Sequence, residues 1–210
     1  KTAIDNSWAT PLFFRPIDFG IDVSMMTATK YISGHSDCML GVVSTNEESW
    51  PQVKRTALML GLCSGSEELY LGLRGLRTLN VRMLQHQKNA LDIATWLAAQ
   101  PQVKRVHHPA LPSCPGHDNW KKYYKGSSGT FGIILHQTNR EKIAAMLDGM
   151  EIFNLGFSWG GFESLLFPEQ PKPIRTAEKW TEEGFSLRLH IGLEDAADLR
   201  ADLAAGLARL

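Results

Sequence analysis

A long helical stretch fixes the outline of this chain. Across residues 67–100, apolar side chains return every three or four positions, the spacing of one helical face. Ser64-Gly65-Ser66-Glu67 offers a capping box at its start, a hydroxyl answered three places later by an acid. Gly72 and Gly75 predict a break or bend near that start. A helix of this length reads as a connector, and shorter elements lie on both sides of it. Upstream, residues 2–5, 21–26 and 39–43 read as strands. Thr45-Asn46-Glu47-Glu48 offers another capping box, and Trp50, Val53, Ala57 and Leu60 then share a helical face. Downstream, residues 103–107, 130–136 and 185–191 read as strands and residues 140–150 as a helix. Leu199, Leu203, Leu207 and Leu210 mark a final amphipathic helix. Residues 109–129, rich in Pro, Gly, Ser and Asn, read as loop. Strands and helices in this alternation give an α/β class. The expected organisation is a first unit over residues 1–76 and a small α/β sandwich over residues 77–210.

Composition excludes several function classes. The 210 residues carry 22 Lys plus Arg against 22 Asp plus Glu, so no basic excess points to nucleic acid and no acidic tail to disorder. Apolar content of 43% and charged content of 21% are ordinary for a soluble globular chain. No apolar run approaches the ~18 residues of a membrane helix. Lys1-Thr2-Ala3-Ile4-Asp5 resembles the inside of a domain rather than a signal peptide. Cys38, Cys63 and Cys114 are odd in number and lack metal-ligand spacing, so reduced thiols and a cytoplasmic location are expected. His107, His108 and His117 form no zinc pattern with any of them, and no metal is expected.

The chemistry concentrates around Lys30. It stands in Thr27-Ala28-Thr29-Lys30-Tyr31-Ile32-Ser33-Gly34-His35-Ser36-Asp37, and Asp5-Asn6-Ser7-Trp8 lies upstream at the end of an apolar segment. An amine, small hydroxyls and an acid are what a Schiff-base cofactor with a phosphate and a ring nitrogen needs. Pyridoxal phosphate (PLP) is such a cofactor. Lys30 would be the Schiff-base lysine, which needs its amine unprotonated when it attacks. Asp5 would hold the ring nitrogen, and Thr27 and Thr29 would donate to the phosphate. Strand ends suit this placement, since ligands of open α/β sheets gather outside the carboxyl ends of strands. Each residue also has a plainer reading. Lys30 could lie on a surface turn, Asp5 could cap its own turn, and Thr-x-Thr is common in strands. On its own, Arg188 would be read as an arginine on the solvent face of a strand. Ser158 and Trp159 would be read as a turn with a core tryptophan. His35 is read as a loop hydrogen-bonding residue.

These motifs, with Ser158-Trp159-Gly160-Gly161-Phe162-Glu163-Ser164 and Leu187-Arg188-Leu189-His190-Ile191-Gly192-Leu193-Glu194, resemble those of the Cys/Met-metabolism PLP enzymes of fold type I. The likeness runs from Ala3 to about Leu210. Trp8 and Trp159 favour the β-lyase branch over the γ-synthase and γ-lyase branch. The resemblance implies the remainder of a fold type I cofactor domain over residues 1–76 and the C-terminal small domain over residues 77–210. It implies Lys30 as the catalytic residue and Asp5, Thr27, Thr29 and Lys30 as cofactor-binding residues. Ser158, Trp159 and Arg188 would surround the substrate carboxylate, with Arg188 as its two-pronged clamp. The implied activity is β-elimination of L-cystathionine to homocysteine, pyruvate and ammonia. The implied assembly is a dimer or tetramer, with no nucleic acid and no membrane. It further implies an upstream half carrying the phosphate loop, the ring-stacking aromatic and residues lent to a neighbouring subunit. This chain would then be a C-terminal piece of the enzyme. The alternatives are γ-type chemistry and a catalytically incomplete assembly partner.

Overall fold

A computed structural model describes every residue except Gln137, Lys172, Ile174 and Glu178. Two sheets organise the chain. In the first, β1 (Ala3–Asp5) pairs in parallel with β2 (Val23–Thr27), which pairs antiparallel with β3 (Gly41–Thr45). Asp5 lies opposite Met25, so β1 and β2 end at the same sheet edge, and Asp5 and the turn after Thr27 share it. Between them run α1 (Thr10–Phe13) and a 3-10 turn (Pro16–Phe19).

The helical region is α2 (Trp50–Met59), α3 (Ser66–Leu76) and α4 (Leu79–Ala98). The expected long helix is therefore two helices, and the break falls at Arg77 and Thr78. Gly72 and Gly75 sit inside α3 for a different reason, close approach. A Cβ on Gly75 would come 2.3 Å from the Ile32 carbonyl oxygen, and one on Gly72 would come 2.5 Å from the Leu40 side chain. Neither expected capping box forms. The N-caps are Ser49 and Gly65, and neither makes a side-chain cap bond. Asn46 instead turns the chain into α2, its Oδ1 accepting the Ser49 N–H at 2.9 Å.

The second sheet has the order β4 (Val103–His107), β5 (Thr130–Leu135), β8 (Phe185–His190), β7 (Leu165–Glu169), β6 (Asn154–Leu155). All neighbours are antiparallel except β6 and β7. The helices α6 (Arg140–Asp148) and α7 (Ala196–Leu207) pack on it. The stretch read as loop contains a short helix, α5 (His117–Tyr123). β6 and β7 escaped the sequence reading because β6 is two residues long and β7 contains Pro168.

Each sheet has its own hydrophobic cluster, and α4 serves both. Leu79 and Met83 at its start pack with Phe13, Phe14, Met26 and Tyr31. Ala90, Ile93, Ala94 and Leu97 further on pack with Ile133, Leu187, Leu189 and Leu203. Among the described residues no helix is long and apolar enough to cross a membrane.

Candidate active site

Lys30 sits in the turn that follows β2. Its N–H donates to the Thr27 carbonyl at 3.1 Å and its own carbonyl accepts from Gly34 at 2.8 Å. The turn is held from behind by Arg82 of α4, which is 7% exposed. Its guanidinium donates to the carbonyls of Tyr31 (2.7 Å), Ile32 (3.1 Å) and Gly75 (2.7 Å). Five donors in a planar fork suit arginine to holding three carbonyls at once. A side chain at Gly34 would collide with that guanidinium, its Cβ only 2.0 Å from Nη1.

The turn meets the 157–163 segment, far away in sequence. Lys30 Nζ donates to Ser158 Oγ at 2.7 Å and lies 5.3 Å from the Trp159 ring centroid. A Cβ on Gly160 would stand 2.8 Å from Lys30 Cβ, and Gly160 has φ +87°, so glycine is needed there for both space and backbone conformation. Ser36 donates to Glu163 Oε2 at 3.0 Å, closing the contact on its other side. Burial, followed by the positive charge of Arg188, lowers the Lys30 pKa from the ordinary lysine value. That is the direction an attacking amine requires.

β8 places Arg188. Along this strand Leu187 and Leu189 enter the core, so Arg188 and His190 share the opposite face. The Arg188 side chain is 18% exposed, which rules out a free solvent-face arginine. Nη1 pairs with Glu169 Oε1 at 3.0 Å, Nη2 donates to the Phe157 carbonyl at 2.5 Å, and the rings of Phe157 and Phe167 flank it at 5.5 and 5.4 Å. One short segment thus reaches Arg188 through Phe157, Lys30 through Ser158, and His190 through Gly160, whose N–H donates to Nε2 at 3.1 Å.

Asp5 lies exposed at the end of β1, with Oδ1 accepting the Ser7 N–H at 2.8 Å. This is the turn-capping arrangement, and it engages one of the two carboxylate oxygens. Ser7 Oγ in turn accepts the Thr27 N–H at 2.7 Å, tying the Asp5 turn to the end of β2. Trp8 Nε1 donates to the Thr130 carbonyl at 2.8 Å, joining the same turn to β5. Thr29 is engaged locally. Its hydroxyl accepts the Leu40 N–H at 2.8 Å and donates to the Leu40 carbonyl at 3.3 Å, so it closes the turn. His35 keeps to its loop, Nδ1 lying 2.6 Å from the Ser33 carbonyl.

The donor set fits PLP: an amine with lowered basicity, a carboxylate at the same sheet edge and a hydroxyl at Thr27, with the Arg188 guanidinium nearby and paired to Glu169 and the Phe157 carbonyl. Thr29 fits least, because its single hydroxyl hydrogen is engaged by Leu40. Among the described residues no three His, Cys, Asp or Glu side chains stand together as a metal site.

Sequence reasoning missed the layer beneath Lys30. Tyr31 Oη accepts the Gly129 N–H at 2.9 Å and lies 3.2 Å from Thr130 Oγ1, which is itself 3.2 Å from His190 Nδ1. The His86 and His190 rings are 5.3 Å apart. Burial first, then His86, pushes His190 down to about 3; burial first, with Arg82 adding to it, brings His86 to about 4. The available signal was parity: His190 is two places from Arg188 on a strand whose alternate residues are apolar.

Residues 1–208 match the Cys/Met metabolism PLP-dependent enzyme family. A cystathionine beta-lyase of Escherichia coli is 47% identical over 99% of this chain and 53% of its own length. An L-alanine/L-glutamate racemase of Wolbachia pipientis is 43% identical over 100% of the chain and 52% of its own length. A solved cystathionine gamma synthase from Xanthomonas oryzae pv. oryzae, in complex with aminoacrylate and cysteine, is 37% identical with a TM-score of 0.89. That match covers 99% of this chain and 55% of the solved one. The chain spans about half the length of the curated relatives it matches. With a family match over nearly every residue and this likeness in structure, the chain belongs to the Cys/Met metabolism PLP-dependent enzymes of fold type I.

Proposed function

We propose that this chain carries the lysine side of the active site of a PLP-dependent carbon–sulfur lyase that cleaves L-cystathionine to homocysteine, pyruvate and ammonia. The carrying observation is the Lys30 amine, 2.7 Å from Ser158 beside Trp159 and lowered in basicity by burial and Arg188. The 47% identity to a cystathionine beta-lyase supports the substrate. In this reading Lys30, Asp5, Thr27 and Thr29 hold the cofactor, and Ser158, Trp159 and Arg188 hold the substrate.

Bound PLP supplies a ring that draws in the electron pair left at Cα. Asp5 would hold the ring nitrogen through its carboxylate. Arg188 binds the α-carboxylate between the rings of Phe157 and Phe167, the substrate taking the place of the Glu169 carboxylate on the guanidinium. Ser158 accepts from Nζ and so aims the amine. Lys30 Nζ, unprotonated, takes the Cα proton and, as an ammonium, returns it to the sulfur leaving Cβ. Homocysteine departs, and one water converts the three-carbon remainder to pyruvate and ammonia. Fixing the amine and the carboxylate together is the larger contribution, since small misplacements can cost ~100-fold in rate.

The solved gamma synthase favours γ-type chemistry as the second reading. The test is product analysis with cystathionine and added PLP. Pyruvate is expected; 2-oxobutyrate would establish the γ reading instead. An oligomeric, cytoplasmic enzyme belongs to the same proposal, and sedimentation of the loaded protein tests the oligomer. Absence of either keto acid, with PLP bound, would favour a chain that serves only in assembly.

A further inference from the structure

We infer that His190 is a positioning residue, fastening the 158–161 loop and the Lys30 turn to each other. The inference deepens the reading of Lys30 as the reactive amine and rests on it. His190 is 1% exposed, on the β8 face that carries Arg188. Its two nitrogens reach opposite walls of the site. Nε2 lies 3.1 Å from the donating Gly160 N–H and 3.0 Å from the Gly161 carbonyl. Nδ1 lies 3.2 Å from Thr130 Oγ1, and Thr130 Oγ1 lies 3.2 Å from the hydroxyl of Tyr31, the residue after Lys30. With Nε2 bare, the ring accepts from Gly160 and carries its hydrogen on Nδ1 towards Thr130. With Nε2 protonated, it donates to Gly161. Either tautomer grips the same peptide segment.

That grip bears directly on the amine. The Gly160 backbone presses on Lys30, with room for no Cβ, and Ser158, two residues earlier, receives the Lys30 hydrogen bond. The groups facing the ring are His86 from α4, Tyr31 and Lys30 from the turn, and Arg188 from its own strand. None brings a negative charge, so the imidazole stays neutral and works through hydrogen bonds. An aromatic hydrocarbon of similar size would fill the space and lose both arms.

The test reads the Lys30 amine without cofactor. The chain is labelled with an acetylating reagent across a pH series, and Lys30 labelling is followed by peptide mass spectrometry. The midpoint pH reports amine protonation separately from access. In the wild type it is expected below that of the exposed lysines in the same digest. His190→Phe is expected to raise it towards theirs, because the loop no longer buries the amine. His190→Gln, whose amide can still reach Gly160, is expected to keep it. Thr130→Val removes only the Nδ1 arm and is expected to raise it by less. An ordinary wild-type midpoint would overturn the Lys30 reading and this inference with it. A low wild-type midpoint left in place by His190→Phe would overturn this inference alone. Phe and Gln variants moving together would show that a hydrogen bond to Gly160 is not what holds the midpoint, which also overturns the inference. If the Phe variant does not fold, Thr130→Val decides, and an unmoved midpoint there counts against the inference.

Discussion

The two sheets of this protein differ in how fully they are covered, and the proposed site draws on both. The five-stranded sheet is covered by its own helices. Ile133, Leu135, Leu187 and Leu189 meet Ala90, Ile93, Ala94 and Leu97 of α4 and Leu199, Leu203 and Leu207 of α7, all nearly inaccessible. Around the three-stranded sheet, α2 buries none of its residues and α3 buries only Gly72 and Gly75. Leu58, Met59 and Leu62 are 71%, 74% and 66% exposed, and Tyr70 is 65% exposed. Yet this less covered region supplies Asp5 and Lys30, while the well-packed one supplies Arg188 and the 158–161 loop. The strand holds Arg188 through Glu169 and the Phe157 carbonyl. Lys30 instead depends on Arg82 and on the loop pressed against it.

Removing the amine should separate the two roles most sharply. Lys30→Ala is expected to abolish keto-acid release and the visible absorbance of the PLP-loaded protein, with a melting temperature close to wild type. The side chain is half-buried and its carbon stem packs little core, so stability has little to lose. Wild-type turnover in that variant would remove Lys30 from the chemistry. A collapse in stability would show that Lys30 also holds the two sheets together.

Leu189→Ala should strike the other region. The residue is 0% exposed on β8 between Arg188 and His190. Large-to-small changes at such sites cost about 2–5 kcal/mol. Denaturant unfolding measures the loss. A cost under about 1 kcal/mol would mean that the five-stranded sheet is not the better packed of the two.

Acid should act next, on the buried imidazoles. His86, His108 and His190 have folded pKa values of about 4, 4 and 3, lowered chiefly by burial from an unperturbed 6.5. The unfolded chain therefore binds more protons as pH falls below 6.5. Stability is full above that pH and is lost progressively down to about 3–4, by up to roughly 1.4 kcal/mol per pH unit for each histidine. Unfolding measured at pH 7 and pH 5 checks the sign. His190→Phe removes one of the three groups and should flatten the slope. A stability that rises on acidification would contradict the burial of these rings.

Much of this was legible in the sequence. The strand at residues 185–191 came from alternation, and Leu187 and Leu189 do enter the core while Arg188 lies on the other face. Lys30, Ser158, Trp159 and Arg188 came from motif and resemblance, and the structure brings them into one cluster. Local chemistry was harder to read. Thr45 and Ser64 had the residues for caps, but Asn46 and Gly65 took the turns. Gly72 and Gly75 signalled a break, but their small size serves contact with residues 32–40. The Tyr31, Thr130, His190 chain was hidden because it joins three distant segments, and no spacing within one of them announces it. Arg82 was hidden likewise, as its partners are backbone carbonyls of residues some fifty places away.

The smallest expected effect tests the exposed side of the comparison. Leu69, Leu73 and Leu76 are 55%, 54% and 49% exposed and, with Tyr70, form a solvent-facing apolar stripe on α3. A side chain with half its surface already in water has little burial to lose, so Leu69→Gln should change stability by within about 0.5 kcal/mol. The same change should weaken self-association at high concentration, since contiguous exposed apolar surface favours it. Unfolding at low protein concentration reads the first, and sedimentation across a concentration series reads the second. If the substitution costs as much as Leu189→Ala at every concentration, the α3 stripe is covered within the folded chain. If the cost appears only at high concentration, another copy covers it, and the division between a self-sufficient sheet and a dependent one is set by assembly.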